Sequence, residues 1–160
     1  MYREQKLVFD HIEQLIERPT PKDEKVIFIN GQAGSGKSFV LQAIDSYIRG
    51  KRLNIINMSN VGVAAMILRD GRTVHNVFKL PVPVHYDSLA RIMPGTKAWN
   101  EIKNTDVFIW DEAPNAPKQY FHVVNKKNAR NHEKQRPIWW QNIHICRRLQ
   151  TNSTYQRKSK

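Results

Sequence analysis

Cysteine is almost absent from this sequence of 160 residues, in which Cys146 is the single thiol. One thiol excludes an internal disulfide and a metal site built from cysteines, and it is typical of a reducing compartment. Long apolar runs are also absent, because none approaches the ~20 residues that span a bilayer. No membrane partner is therefore predicted, and residues 1–5 contain no hydrophobic signal region.

Acidic residues are scarce relative to basic ones, with 14 Asp and Glu against 26 Lys and Arg and a net charge of +12. Lys and Arg neutralise phosphates, so an excess of this size suggests a nucleic-acid partner. The excess is uneven, however, because residues 118–160 hold 11 basic residues and one acid, Glu133. The rest of the chain is nearly balanced, and charge alone does not identify the partner.

The spacing of apolar residues predicts alternating helices and strands. The predicted helices cover residues 3–17, 38–48 and 61–68, and the predicted strands cover 25–30, 53–58 and 105–110. Alternation of this kind is typical of an α/β fold with a parallel, doubly wound sheet. Residues 80–92 contain prolines and predict an irregular surface loop, and no element is predicted beyond Asn125.

A glycine-rich segment joins the first predicted strand to the second predicted helix. It matches G-x-x-x-x-G-K-[ST], a pattern in which backbone N–H groups surround phosphates at a helix N-terminus. Lys37 would reach the β- and γ-phosphates of ATP, and the Ser38 hydroxyl would ligate Mg²⁺. The alternative, a glycine-rich turn that caps an ordinary helix, is disfavoured by the flanking strand and helix. The predicted nucleotide-binding residues in this segment are Gly31, Gln32, Ala33, Gly34, Ser35, Gly36, Lys37 and Ser38.

Two acidic residues, Asp111 and Glu112, follow the third predicted strand. A P-loop ATPase needs one carboxylate in the magnesium shell and a second group that orients the attacking water. Asp111 is the predicted metal residue beside Ser38, and Glu112 is the predicted catalytic residue beside Lys37. An isolated Asp-Glu after a strand is usually a solvated turn, so the catalytic interpretation depends on the phosphate loop.

Three segments carry a more specific pattern. They are the phosphate loop over 31–38, the segments 61–65 and 71–81, and Ile-Trp-Asp-Glu-Ala-Pro over 109–114. Together they resemble the Pif-type (petite integration frequency) family of 5′-to-3′ DNA helicases, especially the branch carried by Helitron transposons. The resemblance covers about residues 1–126. It implies a RecA-like P-loop NTPase fold with an incomplete first motor domain, ATP as substrate, Mg²⁺ as cofactor and single-stranded DNA as partner.

The resemblance also implies roles for residues outside the phosphate loop. Gln5 resembles the glutamine that reads adenine in these motors, with an exposed glutamine on a helix as the alternative. Gly62, Arg72, His75 and Phe78 correspond to residues that line the path of the single strand. Arg72 can contact a phosphate and Phe78 can stack on a base. The alternative for His75 and Phe78 is a core pair beneath a loop.

Residues beyond 126 depart from the family pattern, because the expected sensor segment Gly-Asp-Phe-Arg-Gln is missing. Trp139 and Trp140 each require the codon TGG, so a frame one base later forces Gly-Gly. Residues 138–155 can then read Phe-Gly-Gly-Lys-Thr-Phe-Ile-Phe-Ala-Gly-Asp-Phe-Arg-Gln-Ile-Leu-Pro. We therefore interpret 1–126 as the N-terminal part of a RecA-like helicase domain and 127–160 as an out-of-frame, poorly ordered basic tail. The competing interpretation is an aromatic-basic tail that binds nucleic acid.

The functional expectation is a fragment of an ATP-dependent helicase that binds Mg·ATP and is inactive alone. The alternative is a P-loop module that binds nucleotide or nucleic acid without turnover. By resemblance, the expected processes are DNA repair, recombination and telomere maintenance, in the nucleus or, alternatively, the mitochondrion.

Overall fold

Helices and strands alternate along the chain in the computed structural model, which describes residues 1–18, 26–32, 34–126 and 143–150. The helices are α1 (Arg3–Glu17), α2 (Lys37–Gly50), α3 (Gly62–Ile67), α4 (Val74–Phe78), α5 (Lys97–Lys103) and α6 (Lys118–Asn125). The strands are β1 (Val26–Gln32), β2 (Ile55–Ser59), β3 (Arg72–Thr73), β4 (Val107–Asp111) and β5 (Ile143–Gln150). Among these described helices, none is long and apolar enough to cross a bilayer.

The strands form one sheet in the order β1-β5-β4-β2-β3, and each neighbouring pair is parallel. Because the strands are parallel, their carboxyl ends share one edge of the sheet. The segments that follow β1, β4 and β2 begin at this edge, which we call the carboxyl edge. The predicted α/β class with a parallel sheet is confirmed.

The sheet is covered on both faces. Strand β4 shows this directly, because Val107 and Ile109 pack on one face while Phe108 and Trp110 pack on the other. The first face, here called the α2 face, is covered by α1 and α2. The opposite face is covered by α4, α5 and α6. The buried apolar residues of the α2 face are Ile12, Ile29, Val40, Leu41, Ile44, Ile48, Val107, Ile109 and Ile145.

Strand β5 is the main departure from the predicted elements. It pairs with β1 on one side and with β4 on the other. Ile145 is fully buried on the α2 face, and Cys146 is buried on the opposite face. Apolar side chains on both faces are what a central parallel strand requires. The prediction of no element beyond Asn125 was therefore wrong for residues 143–150, which form a strand of the sheet. The rest of the predicted tail, residues 127–142 and 151–160, lies outside the described residues. The out-of-frame origin of these residues stays a prediction.

Burial also decides the chemistry of the single thiol. Desolvation raises the pKa of Cys146 to about 12. The thiolate is the reactive form of cysteine, so a buried thiol with a raised pKa is inert near neutral pH. Cys146 is therefore a core residue of β5 and not a candidate nucleophile.

Candidate nucleotide-binding site

The phosphate loop follows β1 at the carboxyl edge and leads directly into α2. Gly34 and Gly36 have φ values of 78° and 75°, which lie in the left-handed region. Glycine adopts this region without the steric cost that a Cβ brings. A Cβ on Gly36 would also overlap the side-chain amide of Gln5. Ala33, which was also predicted to bind nucleotide, lies outside the described residues.

Lys37 is the first residue of α2, and its side chain is buried at 6% exposure. The ammonium donates to the backbone carbonyl of Gly31 at 2.8 Å, to that of Gln32, and to Ser35 Oγ at 3.3 Å. A buried charge without partners would be costly, so these acceptors hold the ammonium inside the loop. The cation thus lies where the motif predicts the phosphates of the nucleotide.

Gln5 joins α1 to the same loop. Its Oε1 accepts from the backbone N–H of Tyr2 at 3.0 Å, and its Nε2 donates to the carbonyl of Ser35 at 3.1 Å. The half-buried side chain of Gln5 in α1 is therefore in direct contact with the phosphate loop, and its role in reading adenine stays a prediction. The structure thus brings Gln5 together with the loop residues from 30 positions away in the sequence.

The two predicted magnesium residues have oxygen donors of the kind that Mg²⁺ prefers. Ser38 is exposed in the first turn of α2, and Asp111 ends β4 with 3% exposure. Within the described ranges, no group of three or more His, Cys, Asp or Glu side chains is placed to hold a metal. One hydroxyl and one carboxylate fit Mg²⁺, because this ion usually keeps several waters and completes its shell with substrate phosphates.

Glu112 is held by a residue that the sequence analysis missed. Its φ of 54° is unusual for a residue other than glycine. Asn60, directly after β2, donates from Nδ2 to the Glu112 carbonyl at 3.0 Å and accepts from Trp110 Nε1 at 2.9 Å. The same carbonyl accepts from the Asn115 N–H at 2.9 Å. The signal that could have identified Asn60 is the one that identified Asp111, a polar side chain immediately after a buried strand.

The four predicted DNA residues lie on α3, β3 and α4, and the contacts of each are different. Arg72 makes two bonds to the Glu101 carboxylate, at 2.6 and 3.1 Å. The ring of His75 meets the ring of Tyr120 edge-on at 4.8 Å. Gly62 begins α3, and a Cβ there would meet open space.

The prediction that Phe78 stacks on a base was wrong. Phe78 is 3% exposed and belongs to the core beneath α4. Its ring packs against the Phe108 ring with centroids 6.2 Å apart and planes at 24°. A ring in this position has no face open to a base, so the core alternative applies to Phe78.

Comparisons with known proteins agree with this geometry. A family model described as PIF1-like helicase matches residues 1–144, which extends past the predicted limit of 126. The chain is 37% identical over 60 residues to ATP-dependent DNA helicase PIF4 of Trypanosoma brucei brucei, covering 38% of this chain and 7% of that protein. It is 26% identical over 117 residues to ATP-dependent DNA helicase Pif1 of a Psychrobacter species, covering 71% and 18%. The chain thus spans less than a fifth of either relative.

Solved structures show the same fold. The Pif1 helicase of Candida albicans superimposes with a TM-score of 0.65 at 20% identity, over 92% of this chain and 32% of that one. Bacteroides Pif1 in complex with ADP-AlF3 and ssDNA gives a TM-score of 0.68 at 20% identity, with the same coverage. At these identities the likeness concerns the fold.

Proposed function

The chain belongs to the PIF1-like helicase family, and from this premise we propose that it is the nucleotide-binding part of an ATP-dependent 5′-to-3′ DNA helicase. The observation that carries the proposal is the buried Lys37 ammonium, held inside a loop between β1 and α2. Asp111 ends β4 at the same carboxyl edge, and Glu112 follows it. A phosphate loop and an acidic pair on one edge are groups that bind Mg·ATP and orient the attacking water.

Each residue has a role that its position supports. Lys37 and the loop N–H groups bind the β- and γ-phosphates. Ser38 and Asp111 hold Mg²⁺, which when bound neutralises charge on the phosphates. Glu112 orients the attacking water, and the two hydrogen bonds to its carbonyl fix its backbone.

Gln5 has the capacity to read adenine while it holds the loop. A carboxamide has two N–H donors and two lone pairs on its oxygen. The bond to Ser35 uses one donor, and the bond from Tyr2 uses one lone pair. The second N–H and the second lone pair match N7 and the N6 amino group of adenine, a pairing that carboxamides make with this base.

Single-stranded DNA is the proposed partner of Gly62, Arg72 and His75, whereas Phe78 no longer belongs to this set. The Helitron-like branch remains part of the proposal, supported by Ile-Trp-Asp-Glu-Ala-Pro over 109–114. A nuclear location follows from the same resemblance.

A second candidate is a P-loop module that binds nucleotide without DNA-stimulated turnover. The ion pair of Arg72 with Glu101 and the burial of Phe78 favour it, because they occupy the side chains of two of the four residues predicted for DNA. Single-strand affinity, measured by fluorescence anisotropy with and without Mg·ATP, separates the two candidates because it requires no turnover. A DNA affinity that changes when Mg·ATP binds supports the helicase part, and an unchanged affinity supports the module.

Titration calorimetry with Mg·ADP and Mg·ATP tests nucleotide binding itself. Lys37→Ala should weaken binding about 10- to 100-fold, because it removes charge-assisted bonds to the phosphates. Lys51→Ala is the matched control, since Lys51 lies just beyond the opposite end of α2 and pairs with Glu17 on the surface. Equal affinity for the wild type and Lys37→Ala would contradict the nucleotide site.

A further inference from the structure

Ser59, the last residue of β2, is an unexplained polar group at the carboxyl edge. The residue is fully buried, and its Oγ has no hydrogen-bond partner in the described structure. A buried hydroxyl without a partner is destabilising, and such groups are rare in folded proteins. The Ser59 hydroxyl can therefore bond to a group that comes within reach in another state of the protein.

The sheet places Ser59 beside the predicted magnesium residue. Ser59 and Asp111 are register partners in the parallel pairing of β2 with β4. Side chains alternate between faces along a strand, so Ser59 shares its face with Asn57, and Asp111 shares its face with Ile109. Asn57 donates to Asp45 of α2 at 2.7 Å, and Ile109 packs in the core of the α2 face. Ser59 and Asp111 are therefore neighbours on the α2 face.

Helix α2 places Ser38 at the same end of the sheet as Ser59 and Asp111. The helix starts at the carboxyl edge and runs opposite to β2, with Asp45 next to Asn57. Ser38 lies seven residues before Asp45, which is two helical turns and about 10 Å toward the carboxyl edge on the same side of the helix. Ser59 lies two residues beyond Asn57 in the same direction, about 7 Å along the strand. Ser38, Ser59 and Asp111 thus converge at one end of the α2 face.

We propose that Ser59 is a positioning residue for the magnesium site, whose hydroxyl donates to the Asp111 carboxylate when Mg²⁺ and nucleotide are bound. This inference rests on the proposed nucleotide-binding function. A carboxylate has about four acceptor sites, so Asp111 can accept from Ser59 while another of its sites faces the metal. Rotation of Ser59 about χ1 redirects the hydroxyl without moving the strand. Groups that orient a metal ligand in this way typically contribute 10- to 100-fold in metal affinity.

The experiment measures how strongly Mg²⁺ increases ADP affinity. Calorimetry of the full chain gives the dissociation constant of ADP in EDTA and in excess Mg²⁺, and the ratio of the two is the magnesium effect. Ser59→Ala should reduce this ratio about tenfold. Ser59→Thr keeps the hydroxyl and should retain the ratio. The same Ala variant should raise the melting temperature without ligand by about 2–4 °C, because it removes the unpartnered hydroxyl.

An unchanged ratio in Ser59→Ala overturns the proposal, whatever happens to the melting temperature. A ratio lowered equally in Ser59→Ala and Ser59→Thr also overturns it, because packing around a serine and not the hydroxyl would then be responsible. Failure of the nucleotide site itself is distinguishable. In that case wild-type protein binds ADP no better than Lys37→Ala, before Ser59 is changed.

Discussion

In the phosphate loop, the predicted residues contact one another, whereas in the segment from α3 to α4 they contact distant parts of the chain. Lys37 reaches acceptors at Gly31, Gln32 and Ser35, which lie within six positions of it. Arg72 instead bonds to Glu101, 29 positions away, and Phe78 packs against Phe108 of β4. Roles were predicted for residues of both regions from a helicase-like sequence pattern.

The difference between the two regions shows when a sequence motif predicts the roles of individual residues. In the phosphate loop, hydrogen-bond donors and acceptors lie a few residues apart, so the local sequence determines the loop geometry. Each residue there can therefore have the role that the pattern indicates. A segment whose side chains find partners elsewhere can match a pattern while individual residues serve the core or an ion pair. Three changes test this contrast, in order of decreasing expected effect.

Phe78→Ala should have the largest effect of the three changes, and the effect should be on the free energy of unfolding. Truncation of a ring with 3% exposure leaves a cavity against Phe108 and should lower the free energy of unfolding by about 3–5 kcal/mol. Urea unfolding measures this loss. Phe28→Ala is the control, because Phe28 in β1 is 60% exposed and should cost less than about 1 kcal/mol. If Phe78→Ala kept full stability but lost single-strand binding, Phe78 would be a DNA contact and not a core residue, which would contradict the contrast between the two regions.

Gly36→Ala tests the loop. The φ of 75° is costly for an L-residue, by about 1–2 kcal/mol, and the new Cβ would displace the Gln5 amide. We expect that loss of stability together with weaker binding of Mg·ADP, measured by thermal unfolding and calorimetry. Gly50→Ala, at the last residue of the same helix, meets open space and should be neutral or stabilising by up to about 1 kcal/mol. Nucleotide affinity retained in Gly36→Ala would show that the loop geometry is not locally determined.

Arg72→Gln should have the smallest effect on stability. The Arg72–Glu101 pair is partly exposed, at 32% and 41%, and such pairs contribute about 0–1 kcal/mol. If Arg72 contacts a DNA phosphate, the substitution should also reduce by about one the slope of log affinity against log salt. Glu101→Gln should have the opposite effect on DNA affinity, because it releases the guanidinium. Fluorescence anisotropy with a labelled single strand measures the DNA affinity and its salt slope. An unchanged slope in Arg72→Gln would show that Arg72 serves the ion pair and contacts no DNA phosphate.

Strand β5 illustrates why part of the fold could not be predicted. Its sequence Ile-His-Ile-Cys alternates polar and apolar residues, which argues against a central parallel strand. The structure accommodates the polar residue, because the half-buried His144 ring lies flat against Phe108 at 5.3 Å and 7°. No local sequence pattern predicts the contact between His144 and Phe108. The contact forms because β5 lies between β1 and β4 in the sheet.

The sequence by itself determined the α/β class, the bounds of α1, the phosphate loop and the acidic pair after β4. These features follow from local periodicity, from glycines at positive φ and from a motif whose partners lie a few residues apart. Only the tertiary structure decided that β5 enters the sheet, that Gln5 holds the loop, that Asn60 holds Glu112 and that Phe78 is buried. Each of these depends on which strand or helix lies beside a residue, and that neighbour comes from a distant part of the chain.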